Sequence, residues 1–145
     1  MNTVKTDKGA DIRCARDARE ALGNALEGLG HEELHAMYLD RENRILETRL
    51  VASGDAESVP ISPAAVLARA LALGAAAVII AHNHPSGNPE PGTSDISETE
   101  RMKKACDLLG VILRDHIIVA GEKWFSFAEG RSFGSNSDGG RRTKP

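Results

Sequence analysis

Residues 75–95 read AAAVIIAHNHPSGNPEPGTSD, a short apolar run that stops at two histidines and a loop rich in proline and glycine. The unbroken Val78, Ile79 and Ile80 predict a sheet strand over Ala75 to Ala81, covered on both faces. His82 and His84 are two residues apart, so extended backbone turns both imidazoles to one face. Pro85, Pro89 and Pro91 stiffen the loop while Gly87 and Gly92 let it turn, and the chain returns at Asp95, where a helix resumes. Two imidazole nitrogens about 2.0–2.1 Å from a zinc ion can converge from such positions, and the Asp95 carboxylate supplies a third ligand. Three protein ligands leave a fourth place for water, whereas four would close the site. Without a metal, the histidines read as loop polarity after a buried strand. Asp95 also suits a helix N-cap, with Glu98 completing a capping box. The two uses are compatible because a carboxylate has two oxygens.

Working outward, Ser62 offers an N-cap and Pro63 a first helical residue for an Ala/Leu-rich helix that ends at Leu73 before Gly74. Upstream, Cys14 to Leu29 carries apolar residues at helical spacing and predicts an amphipathic helix ended by Gly30. Glu33 to Leu39 and Arg44 to Val51 predict a hairpin around the polar turn Asp40 to Asn43. Downstream, a helix from Asp95 to Gly110 places Ile96, Thr99, Met102, Cys106 and Leu109 along one side. Val111 to Leu113 and Ile117 to Val119 read as two strands, and Trp124 to Phe127 as another after a turn at Ala120 to Lys123. The sum is a small mixed α/β domain over residues 12–130, preceded by a flexible N-terminus, residues 1–11, and followed by a flexible basic tail, residues 131–145.

The chain has 145 residues, room for one domain, and its 41% hydrophobic and 27% charged residues exclude disorder throughout. The formal net charge of −3 does not advertise affinity for a polyanion, although the tail carries Arg131, Arg141, Arg142 and Lys144 against Asp138. No apolar run approaches the roughly 20 residues that cross a bilayer, and the polar first ten residues make no signal peptide. A cytoplasmic protein with no membrane partner is expected. Cys14 and Cys106 stand far apart without a CxxC partner and are read as free thiols. Ser86 lacks a G-x-S-x-G elbow, and Gly87 to Gly92 lacks the GKS/T of a phosphate loop.

The stretch HNHPSGNPEPGTSD from His82 to Asp95, with LRDHIIV from Leu113 to Val119, resembles the RadC subgroup of the JAB/MPN family, whose metal pattern is called JAMM. The resemblance covers about residues 30–130. It implies a JAB/MPN-like, cytidine-deaminase-like mixed sheet with flanking helices. It implies one Zn2+ ion held by His82, His84 and Asp95, and an upstream glutamate that activates the zinc-bound water. The region HEELHAMYLD, His31 to Asp40, carries that glutamate: spacing points to Glu32, with Glu33 the competing choice and a plain charged junction the alternative to both. His31 and His35 lie outside the pattern and are expected at surface or edge positions. His116 is expected to be a buried hydrogen-bonding residue rather than a ligand.

The chain departs from the family pattern at Gly92, where a serine is expected to hold the developing oxyanion. Thr93 and Ser94 are the nearby hydroxyls, and both also suit turn or cap roles. The resemblance thus implies a zinc-dependent metallohydrolase acting on a peptide or isopeptide amide, with a noncatalytic metal-binding interaction module as the alternative that Gly92 motivates. The family's traditional association with DNA repair keeps an accessory role with direct nucleic-acid binding as a third reading. The stretch before Glu32 is too short for the helix-hairpin-helix domain of longer members, so none is expected. The pattern sets no oligomeric state.

Overall fold

A computed structural model describes residues 3–4 and 8–134. Seven strands form one mixed sheet: β1 (Thr3–Val4), β2 (Glu33–Leu39), β3 (Ile45–Ser53), β4 (Ala77–Asn83), β5 (Ile112–Ala120), β6 (Lys123–Ser126) and β7 (Arg131–Phe133), in the order β1-β3-β2-β4-β5-β6-β7. Helices α1 (Ala15–Leu22), α2 (Pro63–Leu73) and α3 (Thr93–Leu109) cover its two faces. Ala18 and Leu22 of α1 share one core layer with Met37, Ile79 and Ile117. The other layer joins Val66 and Ala70 of α2 and Met102 and Cys106 of α3 to Tyr38, Val78 and Ile80. Strand alternation explains the division, since residues of opposite parity on β2 and β4 feed opposite layers.

β4 is buried along its whole length, as its apolar run requires. It pairs antiparallel with β2 and parallel with β5, and the parallel pair is joined through α3, the long crossover such a pair needs. Ser62 Oγ accepts the Ala65 N–H at the start of α2, and Gly74 ends that helix in the left-handed conformation. The expected hairpin forms, its turn closed by Asp40 Oδ1 accepting the N–H groups of Glu42 and Arg44. Tyr38 donates its hydroxyl to the Val66 carbonyl at 2.7 Å, tying α2 to β2. Cys14 and Cys106 are free.

Several boundaries differ from the expectations. The first helix stops at Leu22, because Gly23 turns the chain, and Leu26 reaches the core from a turn instead. Thr3–Val4, within the segment expected as a loose end, pairs with Thr48 and Arg49, since the outer edge of β3 offers free backbone groups. Arg131–Phe133, expected in the tail, pairs with β6, and Phe133 stacks on Trp124 with ring centroids 4.0 Å apart. The other tail charges, Asp138, Arg141, Arg142 and Lys144, lie outside the described residues.

Two expected strands are one continuous β5. Arg114 is accommodated at a register shift, and buried Asp115 accepts the N–H groups of His116 and Ala128 and the Ser126 hydroxyl. On α3, Met102 and Cys106 are buried, but Ile96 and Leu109 near its ends are about half exposed. Among the described residues no helix is long and apolar enough to cross a membrane.

α2 is also pinned electrostatically. Glu47 of β3 accepts from Arg49 Nε at 2.7 Å and from Arg69 Nη2 of α2 at 2.6 Å. The Arg69 hydrogen bonds, helped by Arg49 and opposed by burial, draw the Glu47 pKa from 4.5 down to about 2. A folded pKa below the unfolded one contributes stability above pH 4.5 that is lost as pH falls toward 2. Glu47→Gln should therefore cost about 1–2 kcal/mol at neutral pH, discounted for the partly exposed arginines. Denaturant melts should show this difference shrinking across that acid window, and a pH-independent difference would contradict the ion-pair account.

Candidate metal centre

His82 and His84 sit where β4 ends and the chain leaves the sheet, at the carboxyl end of a strand in a parallel pair. In open α/β sheets this is where ligands bind. Asp95 is the third residue of α3, and Gly92 takes the cap position. This differs from the N-cap expectation for Asp95: its side chain reaches back one turn and Oδ2 accepts the Gly92 N–H at 2.8 Å. A carboxylate in the first helical turn also complements the positive end of the helix dipole.

The loop and helix bring three donors together. His82 Nε2 lies 3.2 Å from His84 Nε2, while Asp95 sets Oδ1 3.3 Å from His82 Nε2 and Oδ2 3.2 Å from His84 Nε2. Zinc bonds of about 2.0–2.1 Å at the tetrahedral angle set neighbouring donors about 3.3–3.4 Å apart. The donor set and its spacing therefore fit a tetrahedral ion. Among the described residues this is the one group of three or more His, Cys, Asp or Glu side chains with spacing suited to a metal.

Burial alone would raise the Asp95 pKa, but its contacts with the His82 and His84 imidazoles and the hydrogen bond from the Gly92 N–H outweigh it and hold the carboxyl far below the usual range. His84 moves the other way. Burial would lower its pKa, yet contact with Asp95 leaves it raised. Behind the cluster, His82 Nδ1 lies 2.8 Å from His116 Nε2, and His116 Nδ1 lies 2.6 Å from Thr99 Oγ1. His116 is completely buried, which drives its pKa well down, and it stacks against Phe127. It contacts His82 and does not join the three donors.

Glu32, the residue before β2, and Glu33, its first residue, face opposite sides of the sheet. Glu32 shares parity with Leu34, Ala36 and Tyr38, and it lines an open cleft of about 340 Å³ together with His84 and Asp95. Burial raises its pKa, against the opposing pull of His82 and His84. Glu33 faces the α1 layer and is taken up by His31 Nε2 and His35 Nε2, each 3.0 Å from one of its oxygens. Burial pushes Glu33 up, but the contacts with His35 and His31 leave its pKa lowered. His35, expected at a surface or edge, is buried within the interior strand β2. The reason is that Glu33 gives its imidazole a polar partner inside the sheet.

The backbone around Glu32 is held on two sides. Its N–H donates to the Asp55 carbonyl, and its carbonyl accepts the Gly54 N–H, each at 2.8 Å. A Cβ at Gly54 would meet the Ser58 carbonyl oxygen at 1.9 Å, so only glycine permits this close turn. From β4, buried Asn83 accepts the Glu33 N–H at 2.8 Å and donates to the His31 carbonyl at 2.9 Å. The motif reading passes over Asn83. Its place between the two histidines marks it for the opposite face, but its partners come from a strand 50 residues away.

A family model described as RadC-like JAB domain matches residues 12–132. A UPF0758 protein of Aquifex aeolicus is 48% identical over 118 residues, covering 81% of this chain and 51% of that protein. The Escherichia coli UPF0758 protein YeeS is 38% identical over 123 residues, covering 85% of this chain and 83% of YeeS. YfjY from the same organism is 37% identical over 123 residues, covering 85% and 77%. The chain thus spans about half the length of the Aquifex relative and most of the two Escherichia coli relatives.

Removing the Asn83 amide leaves the part-buried Glu33 N–H and His31 carbonyl without this partner at the entry to β2. Asn83→Ala should cost about 1–3 kcal/mol and accelerate hydrogen exchange at the Glu33 amide. Unchanged exchange there would show that the Gly54 and Asp55 contacts hold the segment without it.

Proposed function

Because the chain belongs to the RadC-like JAB domain family, we propose that it is a zinc-dependent hydrolase that cleaves a peptide or isopeptide amide bond. The observation that carries this reading is the spacing of His82, His84 and Asp95, together with Glu32 on the same cleft. A zinc ion held by these three residues would supply a Lewis acid that polarises the substrate carbonyl and lowers the pKa of a water in the fourth position.

Glu32 then moves the protons. Its carboxylate takes one from the attacking water as the new C–O bond forms, and delivers it to the departing nitrogen as the C–N bond breaks. Burial in the cleft wall raises its pKa, which favours the protonated form it must hold between the two steps. Asp95, held ionised, keeps a negative charge beside both imidazoles. The cleft lining includes Glu57 and Glu90 beside Glu32 and Asp95, and among the described residues no lysine or arginine. That field favours a peptide over a phosphodiester backbone.

Gly92 supports the second reading, a metal-binding interaction module without turnover. Nothing occupies the hydroxyl position at this residue, but a Cβ there would meet only Asp95 Oδ2 at 3.8 Å, and the backbone φ of −82° suits any L-residue. A serine therefore fits.

Metal analysis combined with a panel of peptide and isopeptide substrates tests the proposal. Glu32→Gln should retain zinc and lose cleavage, whereas His84→Ala should lose both. Absence of zinc-dependent cleavage across the panel would favour the interaction module, and full activity in Glu32→Gln would remove the assigned base. Gly92→Ser should raise turnover about tenfold or more with little change in zinc affinity, since a hydroxyl aimed at a developing oxyanion is worth a few kcal/mol. An unchanged rate in a folded, zinc-loaded variant would show that no oxyanion donor is missing.

A further inference from the structure

From the buried contacts behind the cluster, we infer that Thr99 and His116 form a proton-ordering relay that fixes the tautomer of His82, presenting an unprotonated Nε2 to the metal. Thr99 and His116 are positioning residues in this scheme. The inference rests on reading His82, His84 and Asp95 as the metal-holding set, and it concerns residues outside that set.

One chain of contacts fixes the place of each proton. Thr99 Oγ1 lies 2.6 Å from the Asp95 carbonyl oxygen, one helical turn before it on α3. A carbonyl oxygen has no hydrogen, so the single hydroxyl proton of Thr99 occupies this contact. Thr99 Oγ1 must then accept at its second short contact, the 2.6 Å approach of His116 Nδ1. His116 therefore carries its proton on Nδ1. A neutral imidazole has one donor and one acceptor nitrogen, which leaves His116 Nε2 as an acceptor.

The next contact is His116 Nε2 to His82 Nδ1 at 2.8 Å. His82 must donate there, so its proton lies on Nδ1 and its Nε2 lone pair faces His84 and Asp95. The order is imposed from the helix inward: helix carbonyl, hydroxyl, first imidazole, second imidazole, metal position. Every member sits on a regular element, Thr99 and Asp95 on α3, His116 on β5 and His82 on β4. Phe127 stacks on His116 with centroids 4.7 Å apart and planes 11° from parallel and so holds the plane of the ring, while the contacts of its two nitrogens with Thr99 and His82 select the edge each one faces. The device removes the tautomer that would otherwise present an N–H to the ion.

The test uses the full chain. In metal-free protein in mildly alkaline buffer, long-range proton–nitrogen correlation spectra should show His82 and His116 both protonated on Nδ1. A His82 proton on Nε2 would overturn the relay, whatever any variant does. Thr99→Val keeps the shape and removes the acceptor for His116. His116 should then shift its proton to Nε2, His82 should shift to the Nε2–H form, and zinc affinity should fall about ten- to a hundredfold in competition with a chromophoric chelator. Thr99→Ser keeps the hydroxyl and should restore both the Nδ1–H spectrum and the affinity. A folded Thr99→Val variant with unaltered spectrum and zinc affinity would overturn the proposal. Neither readout uses cleavage, so a protein that holds zinc through this relay but hydrolyses nothing would refute the proposed activity and leave the relay standing.

Discussion

A part-buried carboxylate needs polar partners on both of its oxygens, and Asp95 draws them from three separate places in the chain. The Gly92 N–H belongs to the helix start, His82 to the sheet and His84 to the segment that leaves it. One side chain thereby closes a helix N-terminus and fastens α3 over the end of β4. The arrangement makes the proposed metal position a by-product of how the helix is anchored: the same contacts that partner the carboxylate bring two imidazole nitrogens within about one coordination sphere of it. The capping contact and the proposed ligand role are compatible because the oxygens are shared among different partners.

The second constraint is the two-residue period of a strand. Glu32 and Glu33 are chemically alike and adjacent, yet the sheet sends them to different layers. One enters the cleft beside His84 and Asp95. The other is held on the far side by His31 and His35. The same rule puts Asn83 on the side away from the two histidines that flank it, where it ties β4 to the first residue of β2. What looks like a cluster of polar residues, HEELH facing HNH, resolves into two unlike networks separated by the thickness of one sheet.

Elements whose signals are local are legible in the order of residues alone. The strand through Val78 to Ile80, the helix between Ser62 and Gly74, and the Asp40 to Asn43 turn each carry their own punctuation. The differences fall where partners decide. Thr3–Val4 and Arg131–Phe133 are too short to announce themselves and become strands because neighbouring edges need pairing. β5 runs unbroken through Arg114, Asp115 and His116 because Asp115 finds three donors and His116 two partners inside the protein. The first helix ends early at Gly23, where its apolar spacing continues in letters but not in backbone.

For the site, sequence spacing was enough to nominate His82, His84 and Asp95, since parity and a stiff loop are written in residue types. The family resemblance, not spacing, marks the missing hydroxyl at Gly92. The choice between Glu32 and Glu33, the hold of Asn83 on β2 and the contact of Thr99 and His116 with His82 depend on strand register and on which helix face meets which strand. These are non-local quantities: a pairing offset of one residue would exchange every side chain between layers. The sequence by itself determined which residues can donate to a metal, and the tertiary structure alone decided which carboxylate shares their cleft, because facing is a property of the assembled sheet.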